Sequence, residues 1–447
     1  MSSKMKILYM GIGEGGGRIA EAAGENACAI NTSSGDLDGL TIPDAKKLNL
    51  DTGGTGKDPK YIQQKLANDN YLSNKLDGFI NEMISGQGVK YDWVMLCVGG
   101  GGGTGSGLSL SVVEKIKDKE IPTGIIYTVP ENNKDSYTHG NAINTYQHIY
   151  SSYGNTGTIA PLILVDNELM CNRYASTLDN FYGPVNKAII NTVEAFNSFT
   201  VQESKIKSAI DPQDFARLFG YGGCCTIGHF TVDDFKDLNK IEADINNNLF
   251  VNEFDLGTAR ASGLIVTAPD KFFKQKEVTV YVSVLLKAFN NIIGGGTLSF
   301  EGVYPSSGDK LEVWLMLNGL SFPKKRFDAL WENTKEGHKQ AMQKMNRLGD
   351  DMGYNLEGMN MSPETALTKM RKRDAIVPEV PTPMVAEVVE EPENKSEIRT
   401  ENLVDCDNCV IDPFEGGSTG KFSKGGSMPF EGGRCPKCKG KGRILKK

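Results

Sequence analysis

Between Val98 and Leu108 the chain reads VGGGGGTGSGL, with seven glycines in the nine positions from Gly99 to Gly107. Glycine loses more backbone freedom on folding than any other residue, so such a cluster is costly unless bare backbone is needed there. The chemistry it permits is anion binding. Without side chains, several backbone N–H groups can converge on one phosphate, and a helix starting just behind adds the positive end of its dipole. Thr104 and Ser106 supply hydroxyl donors. A flexible linker would also be glycine-rich. This cluster, however, lies between an apolar run, DWVMLCV, and an amphipathic one, SGLSLSVVEKIKD. That is the strand-to-helix position of a phosphate cradle.

Two further glycine loops follow the first and third strands, GIGEGGGRIA and DTGGTGKDP. The first satisfies GxGxxG through Gly11, Gly13 and Gly16, the pattern of dinucleotide-binding enzymes. Yet the second strand ends AINTSS, without the acidic residue that a ribose-binding site of that kind requires. The other loop holds a Gly-Lys pair, but Asp58 follows where a Walker A loop needs Ser or Thr for magnesium. Three loops around one sheet edge imply a nucleoside triphosphate gripped from several sides. A nicotinamide-dependent oxidoreductase is the competing enzyme class.

The elements that must position these loops alternate in type. MKILYMGI, ACAIN, DWVMLCV, TGIIYTV and APLILVDN are apolar strands of the kind buried on both faces of a parallel sheet. The stretch from Asp58 to Gly86 carries helical spacing through Tyr61, Leu66, Leu72, Leu76 and Phe79. Strands alternating with helices predict a doubly wound α/β domain over residues 1–183. A long central helix is expected over 184–203, with Pro184 in its first turn. Beyond it, ASGLIVTA, TLSFEGVY and KLEVWLML read as strands between helical segments, KEVTVYVSVLLKAFNNII and PKKRFDALWENTKEGHKQAMQKMNRL, predicting a smaller α+β domain over 204–350. Residues 351–402 turn rich in proline and glutamate, an extended solvated linker, and 403–447 form a separate tail.

Bulk composition limits the alternatives. The 447 residues are 39% hydrophobic and 23% charged, as in a soluble globular protein of two or three domains. The apolar runs are too short for a membrane span. A net charge of −7 argues against the main body binding nucleic acid generally. Of nine cysteines, Cys28, Cys97, Cys171, Cys224 and Cys225 lie in apolar segments and read as small buried hydrophobes. Cys406, Cys409, Cys435 and Cys438 form two CxxC pairs near the end. Unpaired thiols beside such a quartet point to a reducing, cytoplasmic setting.

With these residues in order, the chain resembles the tubulin/FtsZ superfamily over roughly its first 350 residues. GGGTGSG (Gly101, Gly102, Gly103, Thr104, Gly105, Ser106, Gly107) is similar to that family's signature loop. The resemblance implies a first nucleotide loop carrying Gly11, Gly13, Glu14, Gly15, Gly16 and Arg18. A second, INTSSGDLDGL, carries Asn31, and a γ-phosphate-sensing loop carries Gly53, Gly54, Thr55 and Gly56. VDNE resembles the family's guanine-contacting loop, giving that role to Asn167. YGPVNK resembles the start of its central helix, where Tyr182 would stack on guanine and Asn186 would read its edge. Glu131, in TVPENN, is the match to the ribose-binding acid. The physics is compatible: an Asn amide offers donor and acceptor together, and an aromatic face stacks on a base for about 1–3 kcal/mol. INTSSGDLDGL and the acidic, adaptor-bearing tail place the resemblance nearer the plasmid and phage segregation (TubZ-like) branch than eukaryotic tubulin.

Two acids follow the central helix in SAIDPQDFARLFG. Asp211 before Pro212, with Asp214 three residues on, is a standard way to begin a helix. The resemblance also places the family's synergy loop here, whose paired acids reach a neighbouring subunit's nucleotide and orient water. It differs in carrying Ala209 where the family has Asn. It implies GTP and GDP as ligands with Mg2+, head-to-tail self-assembly, and hydrolysis at the junction by Asp211 and Asp214. The alternative is a GTP-binding assembly scaffold with little hydrolysis. In the tail, two CxxC knuckles separated by 25 residues can supply four thiolates to tetrahedral zinc, or act as a redox pair. From Cys406 onward nine Lys/Arg stand against four acids, so a basic zinc knob could take an adaptor protein or nucleic acid.

Overall fold

A computed structural model describes residues 3–86, 88–174, 181–206, 208–351, 403–405 and 443–445. Ten strands form one sheet: β1 (Ile7–Ile12), β2 (Ala27–Asn31), β3 (Lys47–Asn49), β4 (Trp93–Gly99), β5 (Thr123–Val129), β6 (Leu162–Asp166), β7 (Cys224–Val232), β8 (Ala261–Ala268), β9 (Leu298–Pro305) and β10 (Leu311–Leu320). Their order is β3-β2-β1-β4-β5-β6-β7-β10-β8-β9. All neighbours are parallel except β10, which runs antiparallel to β7 and β8. The expected α/β architecture is present. The strands beyond the central helix extend the same sheet through β6, where Leu162 pairs with Cys224 and Ile163 with Cys225. Met1–Lys372 make one compact unit.

Among the described residues twelve α-helices accompany the sheet: α1 (Gly13–Glu21), α2 (Ser34–Asp38), α3 (Pro59–Asn68), α4 (Asn70–Asn81), α5 (Gly103–Lys117), α6 (Ser136–Ile149), α7 (Asn167–Tyr174), α8 (Gly183–Phe199), α9 (Pro212–Phe219), α10 (Ile241–Asn247), α11 (Lys276–Ile293) and α12 (Lys324–Asp351). They cover both faces. One core joins Leu8, Leu96 and Leu164 to Leu108 of α5, Tyr146 of α6, Leu285 of α11 and Phe327 of α12. The other joins Tyr9, Cys97 and Val165 to Ile19 of α1, Ile189 and Phe196 of α8 and Phe215 of α9. The alternation within each strand sends successive side chains to opposite cores, and this is why the strands read as unbroken apolar runs.

Two local differences from the sequence expectation have clear causes. The stretch after Asp58 is two helices, because the Asp69 carboxylate accepts from Leu72 N at 3.1 Å and starts a new helix. The buried position in α3 is Ile62, with Tyr61 and Leu66 only half-buried. Asp58, which spoils the Walker pattern, caps α3 by accepting from Lys60 N at 2.9 Å. The five body cysteines are buried and unpaired, as expected of small apolar residues. Among the described residues no helix is long and apolar enough to cross a membrane.

Residues Arg373–Lys447 form a second unit. Within it β11 (Leu403–Asp405) pairs antiparallel with β12 (Arg443–Leu445). The proposed zinc ligands Cys406, Cys409, Cys435 and Cys438 lie outside the described residues.

Candidate functional site: a cavity at the sheet's switch point

The chain leaves β1 toward β2 on one side and returns to β4 on the other, so the crevice above their C-terminal ends is the topological switch point where open α/β sheets bind ligands. A cavity of about 610 Å³ lies there. At one end it is lined by Gly13, Glu14, Gly15 and Arg18 of α1, by Gly54, Thr55 and Gly56 after β3, and by Gly101, Gly102, Gly103, Thr104 and Gly105 after β4. At the other end it is lined by Glu131, Asn167, Tyr182 and Asn186. Residues from six separate segments, 13 to 186 in number, thus meet on one surface.

Electrostatics at the glycine end favour an anion. Both α1 and α5 begin without a side-chain cap, behind Ile12 and Gly102. Their first amides are therefore unspent by capping side chains, and two dipole ends point at one space. The two starts abut: a Cβ on Gly13 would lie 2.9 Å from Gly105 N, and Gly13 itself sits at φ +72°. Thr104 Oγ1 shares a 2.7 Å hydrogen bond with Thr32 Oγ1, tying the signature loop to the end of β2.

Most of the glycines in these loops are required by packing between the loops themselves. A Cβ on Gly103 would meet Thr55 Oγ1 at 2.2 Å and the backbone of Lys57 and Asp58 at under 3 Å. Gly16 presses on the Cys97 carbonyl of β4, and Gly11 packs on the backbone of Gly16 and Gly17. By contrast Gly102, Gly53 and Gly54 face open space. Several predicted residues do not line the cavity and serve as its frame. Gly11, Gly16 and Gly107 lie in loop and helix contacts, Gly107 against Pro59 and Ile62. Asn31 accepts from Thr32 N and donates to Asp36. Ser106 Oγ accepts from Gly101 N at 3.4 Å. Gly53 is beside the lining, at φ +73°.

At the other end Tyr182, half-exposed at the entry to α8, donates its hydroxyl to Glu131 Oε1 at 2.5 Å. Burial and that bond push the phenol well above its ordinary range. Lys134 Nζ lies 3.6 Å from the same carboxylate. Asn186 sits one turn below Tyr182, its N–H donating to Tyr182 O at 2.9 Å, and is almost fully buried. Ring, amide and carboxylate are therefore held side by side.

Asp211 and Asp214 do not share this cavity. Asp211 Oδ1 accepts from Gln213 N and Asp214 N, both at 2.8 Å, while Asp214 Oδ2 accepts from Asp211 N at 3.2 Å. That is a complete capping box for α9. The 17-residue α8 separates them from Tyr182 by about 25 Å of helix.

Other residues lining the cavity were not assigned from the sequence: Ser33, Asp36, Lys57, Gly99, Gly100, Thr128, Pro130, Lys134 and Thr138. Ser33 and Asp36 lie within INTSSGDLDGL, and Lys57 within the Gly-Lys pair, so a signal existed for them. Lys134 and Thr138 flank the start of α6, a helix that shows little apolar periodicity. Lys57 Nζ pairs with Asp135 Oδ2 at 2.6 Å, joining the loop after β3 to that helix. Among the described residues no cluster of three His, Cys, Asp or Glu is placed to hold a metal.

No protein-family model matches the chain, and no curated protein matches it. Solved structures do. A GTPγS-form protofilament of TubZ from Bacillus thuringiensis serovar israelensis superposes with a TM-score of 0.66 at 21% identity, covering 76% of this chain and 94% of that one. A type III plasmid segregation TubZ gives 0.63 at 20% identity, over 75% and 93%. CetZ2 from Haloferax volcanii, in a GTPγS-bound protofilament, gives 0.57 at 17% identity, over 76% and 100%. Likeness at these identities establishes the fold alone, the one that these TubZ and CetZ structures share.

Proposed function

We propose that this chain is a TubZ-like GTPase that binds GTP and GDP, polymerises head-to-tail and hydrolyses GTP where subunits meet, in positioning or segregating DNA or another cargo. One observation carries the proposal. Two uncapped helix N-termini converge at the switch point of the sheet, and an aromatic ring, two amides and a carboxylate wait at the far end of the same cavity. The triphosphate lies against Gly13–Gly15 and Gly101–Gly105, with Gly54–Gly56 near its terminal phosphate and Gly16, Gly53, Ser106 and Gly107 framing those loops. Tyr182 stacks on the base, Asn167 and Asn186 read its edge, and Glu131 takes the ribose. Mg2+ keeps several waters and needs only one or two carboxylates beside the phosphates. Glu14 and Asp36, which line the cavity, meet that need.

Hydrolysis is assigned to Asp211 and Asp214 acting on a neighbour's nucleotide. Their distance from their own chain's cavity supports an intermolecular role, and a capping carboxylate keeps a free oxygen for water. Residues 1–183 then hold the nucleotide, α8 bridges, and residues 204–350 carry the catalytic and assembly contacts. The tail is proposed to fold around zinc through its four cysteines and to engage an adaptor or nucleic acid, the whole working in the cytoplasm.

The test is light scattering and phosphate release recorded together across a protein concentration series with GTP. Assembly and turnover should rise steeply together. Preference for NAD over GTP in a binding competition would restore the oxidoreductase alternative. A non-hydrolysing scaffold is favoured by one fact: the capping box, which engages one oxygen of each acid, accounts for both residues without catalysis. Asp214→Ala separates the two, since assembly with unchanged turnover per polymer would leave the scaffold standing.

A further inference from the structure

One guanidinium stitches together the two loops at the proposed nucleoside end of the cavity. Arg326, in the first turn of α12, is buried. Its Nε and Nη2 donate to the two carboxylate oxygens of Asp166 at 2.6 and 3.1 Å. Nη2 donates also to Pro130 O at 2.9 Å, and Nη1 to Asn132 Oδ1 at 2.8 Å. These partners are not arbitrary. Pro130 and Asn132 flank Glu131, and Asp166 immediately precedes Asn167. The loops touch each other as well, Asn132 N donating to Glu168 Oε2 at 2.8 Å.

Burial pushes the Asp166 carboxyl upward, and the hydrogen bonds and charge of Arg326 pull it back. The pair is therefore worth keeping as a geometric clamp, because a buried ion pair is weak evidence for stability in itself. Only arginine fits: its planar fork reaches a carboxylate side-on and still has donors for two further acceptors. The helix that carries it is firmly seated, with Phe327 stacked on Tyr146 of α6 at 4.9 Å between ring centroids. None of the bonds from Arg326 reaches the loops at the glycine end.

We propose that Arg326 is a positioning residue for the nucleoside, holding Glu131 and Asn167 at their working separation and so making base selection depend on the seating of α12. The proposal rests on the guanine-nucleotide reading above. It separates the two ends of the site: loosening Arg326 relaxes choice of base and leaves the grip on phosphate intact.

The experiment uses the full chain and measures competitive affinities for GTP, ATP and inorganic tripolyphosphate. Arg326→Gln strands a buried carboxylate and is expected to fold poorly, so it is paired with Asp166→Asn in a neutral double variant. Asn132→Ala cuts one bond without exposing a charge. In the double variant the preference for GTP over ATP should fall about tenfold or more, the scale of a lost charged hydrogen bond. Tripolyphosphate affinity should stay within about twofold, well under the 1.4 kcal/mol that a tenfold change represents. Arg326→Lys should fall between, retaining charge without the fork, and Asn132→Ala should shift preference in the same direction. A folded double variant with unchanged base preference overturns the proposal. So does a parallel loss for all three ligands, which would mean general loosening. Wild-type protein that takes up no guanine nucleotide overturns the underlying reading, and that is seen in the control alone.

Discussion

The division of the glycines into those that pack loops and those that face the cavity can be tested with two substitutions. A Cβ on Gly16 would lie 2.1 Å from the Cys97 carbonyl oxygen and 2.9 Å from its carbonyl carbon. Both obstacles are backbone of β4, which is paired on either side by β1 and β5 and has nowhere to retreat. Overpacking costs about 1–3 kcal/mol, and rigid backbone puts this site at the top of that range. Replacing a helical glycine with alanine returns up to ~1 kcal/mol of helix propensity. The net for Gly16→Ala is then a loss of about 2–3 kcal/mol, or a fall in Tm of about 3–4 °C for a unit the size of Met1–Lys372. Gly102 is the contrast. Its φ of −72° and ψ of 148° suit any residue, and nothing lies within 4 Å of its Cβ position. Gly102→Ala should cost only the poorer N-cap, about 0.5–1 kcal/mol. Yet its methyl enters the cavity where the proposed phosphate site lies, so GTP affinity should fall about tenfold or more. Thermal melts by circular dichroism and equilibrium binding of a fluorescent GTP analogue read the two effects separately. The reasoning fails if Gly102→Ala binds as tightly as wild type, or if the two variants melt together.

Asp135 gives a test with a pH signature. Burial opposes its ionisation, but Lys57 and the amide and hydroxyl of Thr138 outweigh that and hold the carboxyl well below the usual range. The folded value is depressed, so the stabilisation is complete above the unfolded value of about 4 and is lost as pH falls below it. Asp135→Asn preserves the α6 cap and should remove this acid-limb loss while costing about 0.2–1 kcal/mol at neutral pH, as for an exposed pair. Asp135→Ala should cost about 1 kcal/mol more through the cap. An unchanged pH–stability profile for Asp135→Asn below pH 4 would refute the assignment. The body cysteines should be inert. Burial pushes Cys171 up to about 11 and Cys224 to about 12. Pulse alkylation of native protein at pH 8 followed by peptide mass mapping should leave all five unlabelled until denaturant is added, and a rapidly labelled Cys171 would contradict its burial. Tyr182→Phe removes the hydroxyl bonded to Glu131 but keeps the ring. Base stacking should survive with a modest loss of ribose-dependent affinity, read by comparing GTP with 2′-deoxy-GTP. Loss of all nucleotide binding would show that the ring is not the contact.

Local pattern made much of the architecture readable. Apolar runs such as TGIIYTV and ASGLIVTA became β5 and β8 because a strand buried on both faces has no polar positions to spare. Pro184 and the Asp211–Asp214 spacing marked helix starts because capping chemistry is settled within a few residues. The helix α6 was hard to read: SYTHGNAINTYQHI buries His139 and Thr145 beside Ala142, Ile143, Tyr146 and Ile149, so polar residues dilute its short apolar stripe. The break at Asp69 was hidden for a related reason, because apolar spacing runs on across it.

What the linear order of residues contains, then, is the set of turns, caps and faces whose energetics close over a few neighbours. It does not contain the partners those pieces find. That Gly103 is glycine because Thr55 lies against it, or that Arg326 holds the backbone around Glu131 and Asn167 from some 160 to 196 positions away, follows from parallel crossovers that bring every βα loop to the same edge of one sheet. Packing at such distances in sequence depends on which strands become neighbours, a choice made by the whole core at once and by no segment alone.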